Sequence, residues 1–238
     1  MANKGTLYLI PNILAEGTQN QVIPLQVART LHFITIFLAE DIRTARRYLS
    51  SLSIYEKIEA LSFHVLNKDT PAGEIAALMK PIADGENIGV ISESGCPGIA
   101  DPGALAVAWA HANNIRVVPL VGPSSLLMAL MASGLNGQQF IFHGYLPIDA
   151  KLAAEQLRTM EKESKKKNQT QIFIETPYRN NQIFELSLKT LQKTTLLTVA
   201  IDITGKGESI RTQTIGKWQS SKASWPKEPA VFLFLSQS

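Results

Sequence analysis

Short apolar runs alternate with amphipathic stretches through the first half of this chain, and that alternation restricts the fold more than any other feature. Thr6–Ile10 and Ile34–Leu38 are rich in β-branched and aromatic residues and read as strands. Ile42–Leu52 reads as a helix, with Tyr48, Leu49 and Leu52 on one stripe opposite Arg43, Arg46 and Arg47. Ile58–Leu61 reads as a further strand. Pro71–Ala83 reads as a helix opened by proline and closed by Gly85. Strand Asn87–Ile91, helix Ala104–Ala112 and strand Ile115–Pro119 complete this half. Strands separated by crossover helices require a parallel sheet covered on both faces.

The second half begins in the same way, with helix Ser124–Ala132, strand Phe140–His143, helix Ala150–Glu163, strand Ile172–Glu175 and helix Asn180–Leu191. Beyond it the runs Leu196–Ile203, Ile210–Ile215 and Val231–Leu235 follow one another with only a weak helical segment, Trp218–Trp225, between them. Consecutive strands form antiparallel hairpins, so this sheet is expected to be mixed. The expected organisation is therefore two α/β domains, 1–119 and 120–238. The first has a mainly parallel sheet.

Composition excludes several classes. Among 238 residues, 45% are hydrophobic and 18% charged, which is ordinary globular usage. No apolar run reaches the roughly 18 residues a spanning helix needs, and Met1–Gly5 leads into the first strand without a signal-peptide pattern. One cysteine, Cys96, rules out a disulfide framework, and the four histidines show no metal-ligand spacing. A cytoplasmic, metal-free α/β protein is the expectation. Charge is uneven: residues 1–119 hold 9 Lys+Arg against 11 Asp+Glu, and residues 120–238 hold 14 against 9. A basic half attracts polyanions. Much of that excess is the cluster Lys162, Lys165, Lys166 and Lys167, a pattern that usually marks a solvated helix end.

The chemistry gathers at strand ends. Ser92–Gly103 directly follows a strand, and five of its twelve residues are glycine or proline. Glycines let backbone amides approach a ligand, and prolines stiffen the loop that presents them. Asp101 is placed to cap the next helix, with Pro102 at its first position. Val121–Ser125 makes a second strand-to-helix turn, in which Ser124 or Ser125 can cap. Glu175–Arg179 ends a strand with a carboxylate, a hydroxyl, a phenol and a guanidinium, and Glu175 can simply pair with Arg179. Ala39–Arg43 places Glu40 and Asp41 at another strand end, where acidic groups also suit the helix dipole. His143 reads as a hydrogen-bonded, half-buried imidazole and Cys96 as a small packing residue. Dinucleotide, Walker and nucleophile-elbow motifs are absent.

These turns occur in the order AED-x-R (Ala39–Arg43), S-x-x-G-x-PGI-x-DPG (Ser92–Gly103), VPL-x-GPSS (Val118–Ser125), G-Y-LP (Gly144–Pro147) and E-x-P-x-R (Glu175–Arg179). That order resembles the tetrapyrrole methylase superfamily. Within it the chain is most similar to the branch that methylates the ribose 2′-hydroxyl of a cytidine in small-subunit ribosomal RNA. The resemblance implies S-adenosylmethionine folded into a cleft between two α/β domains, a homodimer, and ribosomal RNA as partner. It assigns Pro11, Gly95, Cys96, Pro97, Ile99, Ser124, Ser125, Thr176, Ala200 and Ala230 to the cofactor.

Methyl transfer to a hydroxyl needs a proton acceptor, for which Glu40, Asp41, Glu93, Asp101 and Glu175 are the acidic candidates. Glu40 and Glu175 are expected to line the substrate side, with Arg179 and Lys206 free to hold phosphate. The chain departs from the branch at Asn12–Gly17, Glu93, Ser94, Cys96, Tyr178 and the strand Ala200–Gly205. It also ends just after Val231–Leu235, without the branch's small C-terminal helical extension. The alternatives are a tetrapyrrole or other small acceptor, and a cofactor-binding module without turnover.

Overall fold

The structure, a computed structural model, describes residues 4–221 and 223–237. Two compact units, Met1–Ser124 and Ser125–Ser238, divide the chain.

In the first unit the strands are β1 (Thr6–Ile10), β2 (Ile36–Ala39), β3 (Ser62–Val65), β4 (Ile88–Ile91) and β5 (Arg116–Pro119). They form one sheet in the order β3-β2-β4-β1-β5, and every pairing is parallel. Side chains alternate between two cores: Ile10, Phe37, Ala39 and Ile91 face one, while Leu7, Leu38, Ile88 and Val90 face the other. Gly89 in β4 sits where a Cβ would fall 2.4 Å from Ile10 Cδ1, so a larger residue there would displace the neighbouring strands' side chains. The helices are α1 (Gln19–Val22), α2 (Leu25–Leu31), α3 (Ile42–Ser51), α4 (Ala72–Leu78), α5 (Lys80–Ala83) and α6 (Gly103–Ala112). Asp41 caps α3 by accepting from Thr44 N at 2.6 Å, and α3 buries Ala45, Tyr48 and Leu49.

In the second unit β6 (Phe140–Tyr145), β7 (Thr170–Glu175), β8 (Leu196–Ile201), β9 (Ser209–Thr214) and β10 (Ala230–Leu235) form a mixed sheet in the order β6-β7-β10-β8-β9. Only β6 and β7 pair in parallel. The helices are α7 (Ser125–Ser133), α8 (Ala150–Lys167), α9 (Asn180–Thr190) and α10 (Ile215–Ser220). The core is aromatic. Phe173 and Phe232 stack at 5.2 Å, and Phe184, Trp218 and Trp225 meet edge to face at 5.5–5.6 Å.

Several local expectations need correction. Ile58–Leu61 is not a strand: Ile58–Ala60 is a single 3-10 turn, and the strand is the next segment, Ser62–Val65, selected by its pairing with β2. The helix expected over Pro71–Ala83 breaks at Met79 into α4 and α5, because Pro81 cannot donate within a continuous helix. The helix expected over Trp218–Trp225 lies earlier, at Ile215–Ser220, capped by Thr214; Lys222 lies outside the described residues. Helix α8 runs through the lysine cluster to Asn168, whose φ of 49° ends it.

Candidate functional site

Parallel pairing sends the carboxyl ends of β1, β2, β4 and β5 to one edge of the first sheet. Pro11, Glu40, the Ser92–Gly103 loop and Leu120–Ser124 therefore meet there. The loops are laced through backbone carbonyls. Asn12 N donates to Gly95 O at 2.8 Å, and the Asn12 side-chain amide donates to Ser92 O and Glu93 O at 2.9 and 3.0 Å. Cys96 Sγ approaches Pro123 O at 3.4 Å, and the buried Tyr48 hydroxyl donates to Pro11 O at 2.7 Å. Burial pushes the Cys96 thiol up, which keeps it protonated and inert as a nucleophile.

Close packing depends on two kinds of glycine. Gly95 and Gly98 adopt φ of 69° and 82°, and even Ala100 is held at 57°. Gly122 is extreme in another way, because a Cβ there would lie 2.0 Å from Pro11 Cβ. Asp101 differs from its expected role. Its Oδ1 accepts from Gly103 N at 2.9 Å, while Pro102 occupies the cap position of α6.

Acid charge concentrates on the same edge. Burial, then the charges of Glu93 and Asp101, raise the Glu40 carboxyl above the ordinary carboxylate range, and Lys68 opposes them. Exposed Asp41 moves the other way, because the Thr44 hydrogen bonds favour its charged form. Among the described residues no group of acids, histidines or cysteine could hold a metal ion.

The second unit has its own edge, where the carboxyl ends of β7 and β8 meet the start of β10. Ala230 pairs with Glu175 on one side and Ile201 on the other, and Ala200 pairs with Val231. Glu175 is 4% exposed. Its Oε1 accepts from Thr176 N at 2.8 Å, and its Oε2 lies 3.2 Å from Arg179 Nη1 without hydrogen-bond geometry. Arg179 Nη2 donates to Pro147 O at 2.9 Å, so the pair fastens the Leu146–Pro147 segment to the strand end. Asn180 and Asn181 tie down the approach to β10 by donating to Glu228 O (2.7 Å) and Trp225 O (2.8 Å). Tyr178 is 82% exposed, with Lys227 Nζ 5.5 Å from its ring centroid. Ser125 opens α7. Lys206 lies in the turn whose Asp202 Oδ2 accepts from Gly207 N. His143 Nε2 lies 2.7 Å from Gln171 Oε1, half-buried as expected.

Within the first unit, then, Pro11, Glu40, Gly95, Cys96, Pro97, Ile99 and Ser124 share one edge; within the second, Glu175, Thr176, Arg179, Ala200 and Ala230 share another. Asn12, Tyr48 and Gly122 brace the first edge and were not singled out as site residues. A proline directly after a strand, facing a Gly-Pro turn, was the available signal for Gly122.

Solved structures similar to this fold include methyltransferases. The methyltransferase CobJ matches with a TM-score of 0.61 at 16% identity, over 98% of this chain and 94% of its own. Uroporphyrin-III C-methyltransferase from Thermus thermophilus, in complex with S-adenosylhomocysteine, matches at 0.57 with 13% identity, over 97% of each. The fold is that of the tetrapyrrole methylases. No family model matches the chain. Ribosomal RNA small subunit methyltransferase I of Escherichia coli O157:H7 is 30% identical over 229 residues, 95% of this chain and 73% of that protein. The protein of the same name from Xylella fastidiosa is 34% identical over 179 residues, 75% of this chain and 61% of its own length. The chain belongs to the ribosomal RNA small subunit methyltransferase I family. Matches to the first relatives cover 57% to 73% of their lengths.

Proposed function

We propose that this chain transfers a methyl group from S-adenosylmethionine to a ribose 2′-hydroxyl of small-subunit ribosomal RNA. The observation that carries the reading is the similarity to ribosomal RNA small subunit methyltransferase I over 95% of the chain, together with Glu40, Glu93 and Asp101 on the same edge as the glycine–proline cradle. The donor set there suits that cofactor. Backbone amides of Gly95 and Cys96 serve its polar groups, exposed Ile99 offers an apolar surface, and three carboxylates favour a cationic sulfonium. We assign Pro11, Gly95, Cys96, Pro97, Ile99 and Ser124 as cofactor contacts in the first unit, and Ser125, Thr176, Ala200 and Ala230 in the second. When bound, S-adenosylmethionine supplies an already activated methyl.

The chain's own task is to orient the acceptor and take its proton. Glu40 takes the hydroxyl proton, and its raised pKa brings it closer to the hydroxyl it serves. Glu175 and Arg179, committed to each other and to the Leu146–Pro147 segment, shape the second unit's edge rather than react. The Tyr178 ring gives an unpaired base a surface to stack on, with Lys227 beside it for phosphate. Exposed Phe140, Ile141, Ile148 and Leu152, on and after the edge strand β6, support assembly as a homodimer. Among the described residues no helix is long and apolar enough to cross a membrane; with a ribosomal substrate this supports a cytoplasmic location.

Glu40→Gln tests the assignment. Transfer to small ribosomal subunits should fall about 10²–10⁴-fold while calorimetric affinity for S-adenosylmethionine is retained. Affinity lost together with transfer would make Glu40 a cofactor contact instead of the base.

A further inference from the structure

Away from these edges the second unit contains a cavity of about 270 Å³, lined by Glu161, Lys162, Lys165, Lys166, Gln192 and Ser236. Lys162, Lys165 and Lys166 stand at i, i+3 and i+4 on α8 and so share one helix face. All three are exposed, and among the described residues none of them is ion-paired; the one ion pair on α8 joins Lys167 to Glu163 at 2.6 Å. The helix dipole favours cations in this last turn, but three like charges on one face still repel.

The walls, by contrast, are held by buried hydrogen bonds. Glu161 Oε1 accepts from Gln192 N at 2.9 Å and from Thr195 Oγ1 at 2.6 Å, which fixes the loop before β8 against α8. Ser236 N donates to Ser164 Oγ at 2.9 Å, which fixes the end of β10. Glu161 adds one negative charge to the lining, against three lysines. A solvated helix end needs no concavity, whereas here a braced concavity is lined by three lysine side chains that form no ion pair among the described residues.

The cavity lies where β10 ends and β8 and β7 begin. Glu175, Thr176 and Ala230 lie at the other end of the same strands. The six residues of β10 alone put about 17 Å between the two ends. We propose that this pocket binds phosphodiester groups and anchors the RNA substrate at a distance from the reacting ribose. The proposal rests on the ribosomal RNA reading above. Lysines act as point charges on phosphate, and the lining contains no arginine fork to read a base edge. The contact therefore holds and orients the RNA without selecting its sequence. The second unit's excess of 14 Lys+Arg over 9 Asp+Glu supplies the attracting field.

The test compares the triple variant Lys162→Gln/Lys165→Gln/Lys166→Gln with Lys57→Gln/Lys80→Gln/Lys151→Gln, which removes the same charge from exposed sites elsewhere. Filter binding to protein-free small-subunit ribosomal RNA, read across salt concentrations, should show about tenfold weaker binding for the pocket variant. The slope of log K against log salt should become shallower by about 2, and the control should stay close to wild type. In parallel transfer assays KM for small subunits should rise with kcat unchanged. Equal losses in both variants would overturn the proposal, as would a wild-type chain that does not bind RNA. Wild-type RNA binding that depends on the pocket, without any methyl transfer, would sink the methyltransferase reading and leave the pocket standing.

Discussion

Five parallel strands in Met1–Ser124 bring their carboxyl-end loops to one edge, where backbones approach closely and backbone carbonyls accept from an amide and from the Asn12, Tyr48 and Cys96 side chains. In Ser125–Ser238 a mixed sheet brings the ends of β6, β7 and β8 and the starts of β9 and β10 to its edge, and side chains do the joining. Asn12 N to Gly95 O and the Gly122–Pro11 contact typify the first. Glu175 with Arg179, and Asn180 with Glu228 O, typify the second. The difference follows from topology. Parallel strands place successive connections side by side, where main chains can touch, while antiparallel strands send alternate connections to opposite ends. The first edge should therefore be sensitive to added volume at glycines, and the second to lost functional groups.

The largest expected effect is at Arg179. Arg179→Ala leaves the fully buried Glu175 side chain without its countercharge and frees Pro147 O, which should cost about 3 kcal/mol. Urea unfolding measures it, and Glu175→Gln/Arg179→Ala should recover part of the loss. A neutral single variant would mean that the second edge is not held by this pair.

Gly122→Ala comes next. Its Cβ cannot share space with Pro11, so the β1 and β5 loops must separate, at a stability cost of about 1–3 kcal/mol. Calorimetry should show S-adenosylmethionine affinity falling about tenfold or more. Unchanged affinity would separate the cradle from the cofactor.

The smallest effect is electrostatic. Glu93 raises the Glu40 pKa, so in wild type the acid limb of kcat/KM lies above the ordinary carboxylate range, with activity lost as pH falls and Glu40 protonates. Glu93→Gln removes one raising charge and should move that limb to lower pH. An unmoved limb would show that a different group controls it.

Much of this was readable from the chain. Alternation identified the parallel sheet and the change to consecutive strands identified the mixed one, because periodicity records which faces are buried. Gly95, Pro97 and Gly98 marked the turn after β4, since positive φ and restricted φ are encoded locally. The pairing of Glu175 with Arg179 was likewise visible as a four-residue spacing.

What sequence alone left open depended on partners distant in the chain. Ser62–Val65 is mostly exposed and weakly patterned, and it is a strand because β2 offers it hydrogen bonds. The short helices α1 and α2 lack side-chain caps, and α2 follows from packing of its buried Val27, Thr30 and Leu31. Asn12 becomes a brace only when Ser92 and Glu93 arrive from 80 residues away, and Glu40 becomes a raised carboxylate only when folding buries it and brings Glu93 and Asp101 near. Local propensity and burial period are properties of neighbouring residues and can be read in order. A hydrogen bond or a charge interaction between distant residues exists only once folding has made them adjacent.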